Sequence, residues 1–92
     1  VIVTQHRLTF TAICPVNGSR DVYQMTVETS ETIEVERILA AVEQATKEPV
    51  YQESLTQWLA DGLGATVTTE AVHSGVETRC KAERAVTARP VF

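Results

Sequence analysis

Two residues of reactive type stand seven positions apart near the start of this 92-residue chain. They are Cys14 and Asp21, in the segment Phe10-Thr11-Ala12-Ile13-Cys14-Pro15-Val16-Asn17-Gly18-Ser19-Arg20-Asp21. A thiolate is a nucleophile toward an electrophilic carbon, and a carboxyl group can take and return a proton. The thiol needs a lowered pKa or a neighbouring base to react near neutral pH. Pro15 and Asn17-Gly18 put a turn between the two residues, so the pair is held at the ends of that turn. From residue type alone, Cys14 is also a small apolar residue on a strand, and Asp21 a turn residue.

The elements that must position this pair are readable from periodicity. His6 to Cys14 alternates, with Leu8, Phe10, Ala12 and Cys14 on one face. Pro15 cannot continue a central strand and keeps Cys14 extended. Val22 to Glu28 alternates again, with Tyr23, Met25 and Val27 together, so the two runs form an antiparallel hairpin. Thr29 to Thr32 offers helix caps, and Val35, Ile38, Leu39, Val42 and Ala45 then recur at helical spacing. Lys47-Glu48-Pro49 ends that helix. A second helix runs from about Gln52 to Leu63, with Leu55, Trp58, Leu59 and Leu63 on its stripe and Gly62 and Gly64 as its stop. Ala65 to His73 is a third strand, Ser74-Gly75 a tight turn, and Val76 to Glu83 a fourth strand. The tail to Phe92 carries Pro90 and is expected to be irregular. The order is ββααββ, an α+β layout: a four-stranded antiparallel sheet with two helices on one face.

Composition narrows the functional classes. Residues 1–92 are expected to form one domain, with a few residues ahead of Val1. A core this small leaves sheet edges and one sheet face to cover, so assembly with copies of itself is expected. The net charge is −4 and the basic residues are scattered, which is not the footprint of a phosphate-gripping protein. A small-molecule ligand is the better expectation. An assembled barrel can still gather Arg79, Lys81 and Arg84 into a local patch. No apolar run is long enough to span a membrane and no signal peptide is visible. Two cysteines do not make a disulfide framework; reduced cytosolic thiols are expected, with a single Cys14–Cys80 bridge as the alternative.

At the level of element order and motif, the chain resembles the tunnelling fold, or T-fold. That superfamily includes GTP cyclohydrolase, pyruvoyl-tetrahydropterin synthase and the 7-cyano-7-deazaguanine reductases. The resemblance implies subunits joined edge to edge into barrels, with purine or pterin rings bound between subunits through a glutamate. Within it, the Phe10–Asp21 segment is similar to the active-site segment of the 7-cyano-7-deazaguanine reductase family, in which Cys-Pro is followed by a glycine and by an aspartate seven positions after the cysteine. The resemblance covers roughly Leu8 to Cys80. It implies that Cys14 adds to a nitrile carbon and that Asp21 handles the proton. The family reads a guanine-like ring edge with a His-Glu pair at the start of the second helix. Gln52-Glu53 stands there, so the glutamate is kept and the histidine is not; Gln52 and Glu53 are both expected to bind the substrate, since a glutamine can still hydrogen-bond a ring carbonyl although it carries no charge. One carboxylate can accept two hydrogen bonds from such an edge, though Glu53 is also an ordinary first-turn acid. Ile33 and Glu34, at the start of the first helix, are expected to line the pocket; a capping role for Glu34 is as consistent.

One departure bears on the chemistry. The reductases carry Glu-Ser-Lys-Ser-x-Lys after the second strand, serving the NADPH phosphates. The matching stretch is Glu34-Val35-Glu36-Arg37-Ile38-Leu39, where Glu36 and Leu39 replace the two lysines. Glu34 keeps its place nineteen residues before Glu53. An acid beside a phosphate is repulsive. A shorter branch of the family also lacks that motif; its members are amidinotransferases that add ammonia to the nitrile and form the formamidine of archaeosine. Gly75-Val76-Glu77 and the tail ending near a proline are similar to that branch as well.

The expectation is therefore a cytoplasmic, homo-oligomeric amidinotransferase with sites between subunits. It acts on 7-cyano-7-deazaguanine, free or as a modified tRNA or DNA base, with ammonia as co-substrate and no bound cofactor. The alternatives are an NADPH-dependent nitrile reductase and a non-catalytic purine- or pterin-binding T-fold. Glu70-Ala71-Val72-His73 resembles a segment that precedes a zinc-binding cysteine in GTP cyclohydrolase, but that cysteine is missing. Cys14, His73 and Cys80 match no metal-ligand spacing, so no metal is expected. Cys80 is expected to be structural.

Overall fold

The computed structural model describes residues 1–84. The expected irregular tail to Phe92 lies outside the described residues. The element order is β1 (Thr4–Ile13), β2 (Arg20–Thr29), α1 (Val35–Ala45), α2 (Gln52–Leu63), β3 (Thr66–His73) and β4 (Val76–Ala82). The strands form one sheet in the order β1-β2-β3-β4, antiparallel at every step. The ββααββ order is as the sequence predicts, with boundaries that differ by up to two residues. β1 starts at Thr4 and leaves the ladder at Ile13, so Cys14 is the first residue past the strand. This follows from Pro15, whose ring removes the next ladder donor.

The alternation places one face of the sheet under the helices. Ala12, Tyr23, Met25, Val27, Val67, Thr69 and Ala71 are all buried there. Val22 and Val72, on the opposite face, are more than half exposed. Helix α2 packs on β3 and β4, and α1 packs on α2. Leu55, Leu59, Ala60 and Leu63 are the buried stripe of α2. Trp58, expected on that stripe, is half-exposed, and Thr56 is buried instead. In α1, Ile38, Ala41 and Val42 are buried while Val35 and Leu39 are exposed. Because α1 leans on α2, only one narrow side of it is covered. Leu59 is fully buried; Leu59→Ala is expected to lower stability by about 2–5 kcal/mol, read as a shifted urea midpoint at unchanged slope.

The helix ends also differ from expectation. Thr29 to Thr32 does not cap α1: the Thr29 hydroxyl accepts from the Glu31 amide, and Glu34 is the N-cap without a side-chain bond. Thr46 closes α1 by donating both its amide and its hydroxyl to the Val42 carbonyl, ahead of Lys47-Glu48-Pro49. Gly64, at φ 64°, ends α2, whereas Gly62 is buried inside its last turn. The β3–β4 hairpin turns on Ser74 and Gly75, both at positive φ, as a two-residue primed turn requires.

Candidate active site

The hairpin loop fixes Cys14. The Cys14 amide donates to the Ser19 carbonyl at 2.8 Å, and the Gly18 amide donates to the Cys14 carbonyl at 2.9 Å. Gly18 sits at φ +72°, a conformation that glycine adopts without a side-chain penalty. The Asn17 side chain accepts from the Ser19 amide at 2.9 Å and completes the loop.

Sheet register then brings the acid to the thiol. Asp21 pairs with Ala12, two positions before Cys14. Side chains two apart on a strand share a face, so Cys14 and Asp21 are diagonal neighbours on the helix-covered face. The β2–β3 register, with Tyr23 opposite Ala71, carries on to set Asp21 opposite His73. Asp21 Oδ2 lies 2.9 Å from His73 Nδ1, and Ser19 Oγ donates to Asp21 Oδ1 at 3.2 Å. His73 Nε2 lies 2.6 Å from Gln52 Oε1.

Helix α2 closes the site from the other side. The Val50 amide donates to the Ile13 carbonyl at 3.1 Å, tying the start of α2 to the end of β1. The first turn of α2 then borders a cavity of about 320 Å³, together with Cys14, Asp21, Tyr23 and His73. That volume lies at the lower end of small-molecule sites, about 300–1,000 Å³. Glu53 lines it from the helix N-terminus, where the backbone dipole favours a carboxylate.

Gln52 is buried, and its side-chain nitrogen donates inward, to the Thr69 carbonyl and hydroxyl at 3.2 Å and the Thr78 carbonyl at 3.1 Å. Its place on the cavity wall is therefore that of a residue holding His73, with no amide hydrogen left for a ring. Ile33 and Glu34 do not line this cavity. Ile33 is in the core and Glu34 caps α1. The reason is geometric: they follow the far end of β2, roughly 25 Å of strand from Asp21.

His73 and Tyr23 are the residues that sequence reasoning missed as site members. His73 does not serve as a free metal ligand, since both ring nitrogens are engaged. Among the described residues no group of three or more His, Cys, Asp or Glu is placed to hold a metal ion. Cys14 and Cys80 are free thiols. Burial, and then the charge of Glu53, pushes the Cys80 thiol up, away from nucleophilic use. Tyr23 stacks on its cross-strand partner Phe10 at 5.4 Å.

Burial, and then Asp21, Cys14, Cys80 and Glu53, pushes the Tyr23 phenol up to about 12. It is therefore a neutral donor at the cavity wall across the physiological range. The unfolded chain loses this proton near pH 10 and the folded chain near pH 12, so unfolding is favoured as pH rises through that window. Stability is expected to fall on the order of 2 kcal/mol from this group between about pH 10 and 12. Urea unfolding at pH 8 and pH 11 measures the loss, and Tyr23→Phe is expected to remove most of the difference.

The sheet order, the helix pair on one face and the cavity at the sheet end define a tunnelling fold. The crystal structure of the archaeosine synthase QueF-Like, in the apo form, superposes with a TM-score of 0.77 over 89% of this chain and 92% of that one, at 18% sequence identity. No protein-family profile and no curated protein sequence matches the chain.

Proposed function

We propose that this chain is an amidinotransferase of 7-deazaguanine chemistry, adding ammonia to the nitrile of 7-cyano-7-deazaguanine. One observation carries the reading. Cys14 and Asp21 share one cavity wall through strand register, and Glu53 faces the same cavity from a helix N-terminus. The similarity in fold to an archaeosine synthase supports it.

Cys14 sulfur, as thiolate, forms a bond to the nitrile carbon, and one electron pair of the triple bond moves to nitrogen. A proton passed by Asp21 gives the neutral thioimidate. Ammonia then attacks the same carbon, the C–S bond breaks, and the formamidine leaves with Cys14 restored. Glu53 accepts from the N–H donors of the ring edge and orients the nitrile toward Cys14. No cofactor is needed for these steps; ammonia is the co-substrate. The base is taken free or within tRNA or DNA. Ile33 and Glu34, unused by the cavity of their own protomer, belong in this reading to a site completed between subunits of a homo-oligomer.

The nicotinamide-dependent alternative is disfavoured by Arg37. It is the one cation in the stretch matching the NADPH motif, and it turns inward to the Gly62 carbonyl at the end of α2, at 3.4 Å. Among the described residues, no helix is long and apolar enough to cross a membrane. The test is direct. Protein, 7-cyano-7-deazaguanine and ammonium are mixed without NADPH and the products weighed. The formamidine is expected. Its absence, with NADPH consumed when it is added to a second such mixture, would establish the reductase instead.

A further inference from the structure

The direction of every hydrogen bond behind the cavity can be assigned from one fixed point. The backbone carbonyl of Gln52 can only accept, and it does so from Thr56 Oγ1 at 2.7 Å. A hydroxyl has one hydrogen, so Thr56 Oγ1 can only accept in its 2.6 Å contact with Thr69 Oγ1. Thr69 donates there, and can only accept from the Gln52 side chain. The carbonyls of Thr69 and Thr78 also only accept. Three acceptors thus require the nitrogen of the Gln52 amide on that side. The oxygen must face His73, so His73 Nε2 must carry a hydrogen.

This has a consequence at the other ring nitrogen. In a neutral imidazole with a hydrogen on Nε2, Nδ1 is a bare lone pair. It lies 2.9 Å from Asp21 Oδ2. Two acceptors at that distance repel unless a proton lies between them. The proton can be written on His73, as an imidazolium beside a carboxylate, or on Asp21, as an acid beside a neutral ring. The count is the same, and the proton belongs to the pair.

The surroundings favour it. Tyr23 from β2, Cys14 from the loop after β1 and Glu53 from α2 are the titratable groups that share the cavity with the pair. Among the described residues no lysine or arginine lines the cavity. The Glu53 carboxylate faces the held proton with no competing cation in the cavity.

We infer that Asp21 and His73 hold one proton between them in the free protein, with His73 as the positioning residue that Gln52, Thr69 and Thr56 lock in the Nε2–H form. The destination of that proton rests on the function proposed above; its presence does not. When the Cys14 thiolate forms the C–S bond, the stored proton goes to the nitrile nitrogen, leaving a neutral imidazole and a carboxylate. When ammonia attacks and the C–S bond breaks, one ammonia proton returns to the pair and the thiolate is restored. The cycle closes without a further acid or base.

The test needs no nitrile. His6 is the other histidine and sits in β1 opposite Val27. In ¹⁵N-labelled His6→Gln protein, long-range ¹H–¹⁵N correlation at pH 7 then reports His73 alone. The expected spectrum has a protonated Nε2 and an Nδ1 that is protonated or shares a proton. A hydrogen on Nδ1 with a bare Nε2, or a bare unshared Nδ1, would overturn the inference whatever the reaction proves to be. Kinetics give a second reading. His73→Gln is expected to slow thioimidate formation about tenfold or more at pH 8, with recovery toward wild type as the pH is lowered and Asp21 is protonated from solvent. A fall of equal size at every pH would mean a structural role only and would also sink it.

Discussion

Cys14→Ala protein is expected to form no covalent adduct with 7-cyano-7-deazaguanine and to lose turnover by on the order of a thousandfold or more. Intact mass measures the first and single-turnover product formation the second. The substitution removes one sulfur from a half-buried position and leaves the backbone bonds to Ser19 and Gly18 intact. The loop should therefore keep its shape, and ring binding through Glu53 should survive within a few-fold by calorimetry. That combination separates a lost nucleophile from a lost fold. A variant that still made formamidine at a comparable rate would mean that ammonia attacks the nitrile directly, and Cys14 would revert to a packing residue.

Asp21→Asn is expected to slow thioimidate formation by about 10²- to 10⁴-fold, the usual range for losing a positioned proton donor. An asparagine keeps the size of the aspartate and can still bond Ser19 and His73. What it cannot do is exchange a proton with the developing imide nitrogen. The second effect is on the pair itself: an amide hydrogen facing His73 Nδ1 satisfies that nitrogen without any mobile proton. Stopped mixing followed by intact mass gives the rate. A rate within about threefold of wild type would show that solvent supplies the proton.

Each prediction depends on contacts of different sequence range. The Cys14 loop is local: Pro15, Asn17 and Gly18 build it within six residues, and it was legible from the residues alone. The Asp21–His73 contact spans 52 positions. Nothing in the neighbourhood of His73 announces it, because it arises only when β2 and β3 pair in one register. The same holds for Gln52. Its position suggested a ring-binding amide, but the bonds to Thr69 and Thr78 turn its nitrogen into the core. Ile33 and Glu34 lie away from this protomer's cavity for a related reason: adjacency to a motif in sequence says nothing about which end of a strand it reaches.

Periodicity and turn chemistry determined, from the sequence by itself, the ββααββ order, the helix-covered face and the Cys14-to-Asp21 turn. These depend on side chains alternating along a strand and on glycine and proline dihedrals, which are local properties. The tertiary structure decided which residues stand behind that pair. Strand register placed His73 opposite Asp21, the packing of α2 placed Gln52 against His73, and the fixed donors and acceptors of Thr56 and Thr69 set the direction of the network. Hydrogen-bond polarity is a property of the whole closed chain of partners, so no single segment contains it.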